Sequence, residues 1–277
     1  MQSGVSFDLK AVEEGVAATE FAGRVLHLPF VGSTNTVALE AAQRGARSGV
    51  WVADEQGAGR GRGGHAWHSA AGDGLYVSAL VTPTLPMATA LQISLATGLA
   101  AQAAIAEACG LEVDIRWPND LILNKRKCGG ILVETAVAPA ERGVPAMLRY
   151  AVIGVGINLN HEAFPAEVRA VATSLRLEGG AAVSREAVLA ALLRGIDEEM
   201  RRLVRGHRGM DDGPGLLARF AEASTWVRGK RVRVDEGGGY TGVTDGLNGD
   251  GFLLVAAEDG TQRTVLSGGV RELEAAR

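Results

Sequence analysis

The sequence predicts an α+β protein: a mixed β-sheet packed with helices, followed by a small C-terminal β unit. Three observations carry this. Gly130 to Ala136 and Tyr150 to Leu159 are nearly continuous in apolar residues, as strands buried on both faces are. Met87, Leu91, Leu95 and Leu99 recur every four positions, the stripe of a core helix. From about residue 223 the texture changes to short apolar runs separated by Gly, Asp and Asn, which read as strands and turns.

Composition bounds the rest. A chain of 277 residues suits one large domain, or one large and one small. With 47% hydrophobic and 22% charged residues it can bury a core, which excludes overall disorder. The net charge of −4 gives no general attraction for polyanions. Glycine, at 38 residues, is about twice its ordinary share and signals loops that need its backbone freedom. Cys109 and Cys128 cannot build a disulfide framework, and no His or Cys spacing fits structural zinc, so no residue is assigned to a metal. A reducing cytoplasm is the expected compartment. The start lacks a basic region followed by an apolar run, so no signal peptide is expected. The uncharged stretch Ala79 to Ala106 is diluted by Gln92, Ser94, Thr97, Gly98, Gln102 and two prolines, and no membrane span is expected.

In chain order, Asp8 to Glu20 predicts a helix and Arg24 to Val31 an alternating strand. Ser33 is a candidate N-cap for a helix from Thr34 to about Arg44. Strands at Gly49 to Ala53 and Leu75 to Val81 flank a glycine-rich loop at 57–64. A helix over 87–108 precedes strands at Val113 to Trp117, Gly130 to Ala136 and Tyr150 to Leu159. Val188, Leu192, Ile196, Met200 and Leu203 keep helical spacing. Pro214 suits the first position of another helix through Phe220. Strands at Arg231 to Val234, Tyr240 to Val243, Phe252 to Val255 and Thr261 to Leu266 complete the chain. The expected division is 1–222 and 223–277, the second unit a small β-barrel too small to be very stable alone.

Two islands could carry chemistry. Gln56-Gly57-Ala58-Gly59-Arg60-Gly61-Arg62-Gly63-Gly64 contains G-x-G-x-x-G at 59–64. A dinucleotide fingerprint needs a helix directly after the glycines and an acidic residue about 20 positions on. Here the chain runs into a strand and position 79 is alanine. What survives is a loop whose backbone N–H groups can approach an anion, with two arginines, or else a solvated surface loop. The second island is Arg116-Trp117-Pro118-Asn119-Asp120-Leu121, then Asn124-Lys125-Arg126-Lys127-Cys128-Gly129-Gly130. Pro118 ends a strand and leaves Asn119 and Asp120 at its tip. An ordinary β-turn and a solvated hairpin tip fit these residues as well. His65 and His68 read as surface residues, and Cys128 as a packed thiol.

Taken in order with Ser33-Thr34-Asn35, the shared set resembles the catalytic core of biotin protein ligases. It comprises Gln56-x-x-Gly-Arg-Gly-Arg with Trp67 after it, Trp117-Pro118-Asn119-Asp120, the downstream Lys127, and Gly154-Val155-Gly156-Ile157-Asn158. The resemblance spans about residues 25 to 220, and the β-rich tail looks like that family's SH3-like domain. It implies a class II synthetase-like catalytic domain that binds biotin and ATP with Mg²⁺ and forms biotinyl-5′-AMP. It further implies transfer of biotin to a lysine of the biotin carboxyl carrier protein of acetyl-CoA carboxylase. By the same resemblance Lys127, Arg60 and Arg62 are catalytic. Ser33, Thr34, Asn35, Gln56, Arg60, Gly61, Arg62 and Lys127 would hold biotin, and Gly59, Arg62, Trp67, Asn119, Lys127 and Asn158 would hold ATP. Asp120 is expected to be structural or near the metal. A homodimer is a candidate assembly.

Departures stand at Gly63, where the family often has arginine, and at Arg116, where it has lysine. A lipoate or octanoate transferase of similar fold is the rival enzyme. A biotin-responsive repressor is the rival of another class. Members of that kind carry an N-terminal winged helix of some 60 residues, whereas 32 residues precede Ser33 here, so no DNA partner is expected. The basic run Arg201, Arg202, Arg205 and Arg208 reads as a helix end rather than a phosphate track.

Overall fold

The computed structural model describes residues 7–139, 143, 145–210 and 213–273. Its helices are α1 (Leu9–Gly15), α2 (Thr34–Gln43), α3 (Ala90–Cys109), α4 (Leu175–Gly179), α5 (Arg185–His207) and α6 (Leu216–Ala223). Seven strands, β1 (Val25–Val31), β2 (Gly49–Gln56), β3 (Gly74–Val81), β4 (Asp114–Arg116), β5 (Asp120–Leu123), β6 (Arg126–Val137) and β7 (Leu148–Asn158), form one sheet in the order β1-β2-β3-β7-β6-β5-β4. Only β1 and β2 run parallel within it. The sheet is mixed, as expected.

Alternation along the central strands sorts their side chains between two faces. Val77, Ala79, Ile153, Val155 and Ile157 enter the main core, whose helical wall is α3 and α5. Trp51, Leu80, Tyr150 and Val152 pack with Ala38 and Ala42 of α2 on the other face. That second face does not stay filled. Beyond Val152 its residues on β7 are Gly154, Gly156 and Asn158, and Gly154 and Gly156 stand opposite Leu132 and Gly130 of β6. Removing side chains at one end of a packed face hollows it, and the functional site lies in that hollow.

Helix α3 is not the one-sided stripe its spacing predicts. Ile93, Ala96, Ala100, Ala101, Ala104 and Ile105 are buried along with Leu95, because α3 is covered by the sheet on one side and by α5 and α6 on the other. It is apolar enough in composition to cross a membrane, yet its apolar surface is spent inside the core. Pro214 also departs from expectation: α6 begins at Leu216 with Gly215 as its N-cap, so Pro214 precedes the helix rather than opening it. The strand β5 was not foreseen. The arginine run pairs within α5, Arg201 with Asp197 and Arg202 with Glu198.

The C-terminal strands β8 (Arg228–Val234), β9 (Tyr240–Leu247), β10 (Leu253–Ala257), β11 (Gln262–Val265) and β12 (Val270–Glu272) form an antiparallel sheet ordered β11-β10-β9-β8-β12. Val232, Val234, Leu253 and Val255 belong to the same buried cluster as the first unit. Trp117 Nε1 donates to Gly251 O at 2.9 Å. This docking brings the β11–β12 turn to the site.

Candidate functional site

Two adjoining cavities occupy the hollow. The inner one is lined by Ser33, Thr34, Asn35, Gln56, Arg60, Gly61, Arg62, Trp67, Asn119 and Lys127, with Gly130, Leu132, Gly154 and Gly156 beneath. The outer cleft, about 730 Å³, adds Asn158, Phe164, Val168, Val171 and Ala172 and the segment Ser267–Arg271. That is a usual size for a small-molecule site. Residues far apart in sequence thus converge.

The inner cavity is organised by a chain of hydrogen bonds. Thr34 N donates to Gln56 Oε1 at 2.9 Å, and Gln56 Nε2 donates to Ser69 Oγ at 3.0 Å. Ser78 Oγ lies 2.8 Å from Thr34 Oγ1 and 2.5 Å from Asn35 Oδ1. Asn35 Nδ2 donates to Glu134 Oε2 at 2.9 Å, which also accepts from Arg60 Nη2 at 2.9 Å. An amide oxygen only accepts, so the Ser78 hydroxyl must donate to Asn35. The Thr34 hydroxyl gives its one proton to Gln56 Oε1, 3.2 Å away, or to Ser78, so toward a ligand it offers only lone pairs. Asn35 has both ends engaged inside the protein, which orients its amide where it lines the cavity. Ser33 occupies the N-cap position of α2 without a side-chain cap bond, so its hydroxyl is not spent on the helix.

Gly154 and Gly156 are required by space. A methyl group at Gly154 would overlap Asn35 Oδ1, and one at Gly156 would lie 2.6 Å from the Trp67 indole nitrogen. That Trp67 Nε1 is buried with no protein partner, a donor left over at the wall shared by the two cavities. Gly59 lies beneath rather than on the lining: it is buried, and a methyl group there would meet Trp67 O at 2.7 Å. Its role is packing under the loop.

Charge gathers where the cavities meet. Lys127 lies on β6 itself, not at the exposed hairpin tip. Its Nζ is 2.5 Å from Asp120 Oδ1 and 5.4 Å from the centre of the Trp67 ring. Asp120 Oδ2 takes Arg116 Nη2 at 2.5 Å. Burial alone would raise the Asp120 pKa, but Lys127 and then Arg116 outweigh it and hold the carboxyl below its usual range. Arg62 Nη1 donates to Asn119 Oδ1 at 3.1 Å, and Asn119 Nδ2 donates to Ile131 O at 2.8 Å. Burial pushes the Arg62 pKa down, opposed by Asp120 and Glu236. Trp117–Pro118 is a cis peptide. Asn158 Nδ2 is committed to Thr173 O at 3.0 Å, and the residue lines the outer cleft.

Glu134, Ser78 and the Phe164–Ala172 wall were not singled out by sequence; Gly154 and Gly156 were part of the set that carries the resemblance, but neither they nor the Ser267–Arg271 turn were given a place in the site. One signal was available for the floor: every second residue from Tyr150 shrinks toward glycine. His65 and His68 are exposed as expected, yet both line the outer cleft. Cys128 is buried, its pKa pushed up to about 12 by that burial, which fits a packed thiol. Among the described residues no group of three His, Cys, Asp or Glu side chains could hold a metal ion.

Comparison with known proteins gives consistent results. A model of the biotin/lipoate A/B protein ligase family matches residues 16–158. The biotin--[acetyl-CoA-carboxylase] ligase of Mycobacterium tuberculosis is 32% identical, over 86% of this chain and 84% of its own length. The bifunctional ligase/repressor BirA of Bacillus subtilis is 31% identical, over 95% of this chain and 76% of its own. The structure of biotin protein ligase from Aquifex aeolicus in complex with biotin and ATP superposes with a TM-score of 0.73 and 27% identity, covering 90% of this chain and 99% of that one.

Proposed function

The chain belongs to the biotin/lipoate A/B protein ligase family, and from that premise we infer that it is an ATP-dependent biotin ligase acting on acetyl-CoA carboxylase. The biotin carboxylate attacks the α-phosphorus of ATP, giving biotinyl-5′-AMP and releasing pyrophosphate. The ε-amine of a carrier lysine then attacks the acyl carbon and AMP leaves.

The observation that carries this reading is the wall shared by the two cavities. Lys127, Arg62, Asn119, Trp67 and Gly61 line both, so a carboxylate in the inner cavity meets a phosphate in the outer one between two cations. Bringing those two anions to about 4 Å costs on the order of 4 kcal/mol at an effective dielectric of 20. Lys127 and Arg62 offset that repulsion and stabilise the charge that develops on the phosphate. Asp120 fixes the Lys127 ammonium rather than binding metal, since both its oxygens are taken. Mg²⁺ enters as part of the nucleotide substrate, held by the β- and γ-phosphates.

The neutral ureido ring of biotin both donates and accepts hydrogen bonds. Its N–H suits the Thr34 hydroxyl, which has only lone pairs to offer. A lipoyl or octanoyl chain has no such donor and would leave the free lone pairs of that buried oxygen without a partner, at a cost of about 1–3 kcal/mol. This favours biotin over the rival acids. The reading has no DNA partner, in keeping with the paired arginines of α5, and it places the enzyme in the cytoplasm, where Cys109 and Cys128 stay reduced. A homodimer is part of the proposal.

Incubation of the purified protein with ATP, Mg²⁺ and labelled biotin, octanoate or lipoate, with and without a biotin carboxyl carrier domain, tests it. Acid-stable label on the carrier from biotin alone is expected. Equal or preferred use of lipoate would overturn it.

A further inference from the structure

We infer that Glu178 is a positioning residue for adenylation, fixing the strand that carries Lys127 against the segment that walls the outer cleft. The inference rests on the ligase reading and names a residue that touches neither substrate.

Strand β7 ends at Asn158, and its last partners on β6 include Gly129. Beyond that point β6 has lost its neighbour, just where Lys127 begins. The backbone at Lys127 finds another: its N–H donates to Val171 O at 2.8 Å, and its carbonyl accepts from Thr173 N at 2.9 Å. Segment 171–173 therefore stands in for β7. Val171 and Ala172 of that segment also line the outer cleft. One short stretch holds the catalytic strand and shapes the nucleotide side.

What holds the stretch is Glu178 on α4. Its carboxylate accepts from Asn124 Nδ2 at 2.5 Å, from Arg126 Nη2 at 2.5 Å and from the Thr173 hydroxyl. All three donors lie on the two segments that bracket Lys127. Asn124 and Lys125 have φ of 47° and 64°, the positive-φ non-glycine residues among those described, and such backbone persists only where its surroundings over-determine it. Glu178 supplies that restraint. Its side chain is 9% exposed, and the hydroxyl of Thr173 foremost, with Asn124 and Arg126, holds its carboxyl below the usual range. The helix beneath is fixed in turn, since Ser174 Oγ caps it at Leu177 N and donates to His161 O.

Misplacing a reacting group by about 1 Å can cost about a hundredfold in rate. The biotin-recognising residues Ser33, Thr34 and Gln56 make no contact with this clamp. The test is therefore a split. For Glu178→Ala, kcat for pyrophosphate release should fall at least tenfold and KM for ATP should rise. Biotin binding measured by calorimetry without nucleotide should stay within twofold of the parent. Glu178→Gln should be intermediate, because its amide keeps one acceptor oxygen but presents N–H₂ to Asn124. Thr173→Val, which removes only the hydroxyl, should shift the same two values less. Should Glu178→Ala fail to fold, these two variants decide. Parental kcat and ATP KM in the variants overturn the inference, as does a parallel loss of biotin binding, which would mark a global defect. A parent enzyme that releases no pyrophosphate with biotin overturns the ligase reading instead.

Discussion

The floor of the inner cavity and the loop that roofs it enclose the same space with different materials. On the floor, Thr34, Asn35, Gln56 and Ser78 are tied to one another and largely buried, and glycines make the room. In the roof, residues 57–64 contribute arginines whose partners lie across the cavity. Arg60 reaches Glu134 with 43% of its side chain exposed, and Arg62 reaches Asn119. Gly63 and Gly64 have φ of 65° and 80°, a backbone that glycine adopts at little cost. A buried, mutually satisfied set recognises a neutral ring by shape and complementary hydrogen bonds. A partly exposed, charged loop suits holding an anionic intermediate that must later be released. Floor changes should thus damage entry and chemistry, and roof changes should damage retention.

Lys127, where floor and roof meet, gives the largest expected effect. Lys127→Ala should abolish adenylate formation, leaving less than about a hundredth of the parent rate, as expected when a preorganised charge is removed. The melting temperature should move by only a few degrees, because a 32%-exposed side chain leaves no core cavity. Pyrophosphate release and a thermal melt check both. A variant that turns over within a few-fold of the parent would remove Lys127 from the mechanism.

The floor is next. Gly154→Ala would drive a methyl group into Asn35 and break the chain from Thr34 to Glu134. Biotin affinity should fall about a hundredfold, corresponding to about 2.8 kcal/mol, with ATP binding little changed. Calorimetry with each substrate separately decides. Loss of both affinities together would mean that the floor and the outer cleft are not separable.

How far the sequence foretold these regions depends on how locally each is built. Helix α5 and the central strands follow from period and apolarity within their own segments. The roof was visible as a Gly/Arg run, and Lys127 through the family resemblance. Glu134 was not, since its importance comes from meeting Asn35 and Arg60, 99 and 74 positions away. Ser78 reads as one polar residue in an apolar strand until its neighbours in space are known. For α3 the four-residue spacing pointed to one buried side, and only the packing of α5 and α6 shows why Ile93, Ala96, Ala100 and Ile105, off that stripe, are buried too. The short β5 lacked length, and its pairing with β4 and β6 is what makes it a strand.

In the roof, Arg62→Gly should separate synthesis from retention. Charge-assisted hydrogen bonds contribute about 1.5–3 kcal/mol each, so adenylate escape should accelerate about tenfold or more while pyrophosphate release continues. Escaped biotinyl-AMP acylates exposed lysines, so biotin on albumin added as a bystander is the measurement. Equal bystander labelling with undiminished synthesis would make 57–64 an ordinary solvated loop.

The smallest effect tests whether floor and roof are linked. Glu134 is where they join: Arg60 of the roof and Asn35 of the floor share its Oε2 atom. Glu134→Gln keeps the shape and one acceptor but removes the charge that attracts Arg60. A half-exposed ion pair contributes about 0.2–1 kcal/mol, so bystander labelling should rise only about two- to fivefold, with KM for biotin rising by a similar factor through Asn35. Salt separates this link from simple destabilisation. Ions screen a partly exposed pair over about 10 Å at 0.1 M, so escape from the parent should increase with added sodium chloride and approach that of the variant, whose own escape should be nearly flat. Parallel salt dependence in parent and variant would show that Glu134 does not hold the roof, and that floor and roof act on the ligand independently.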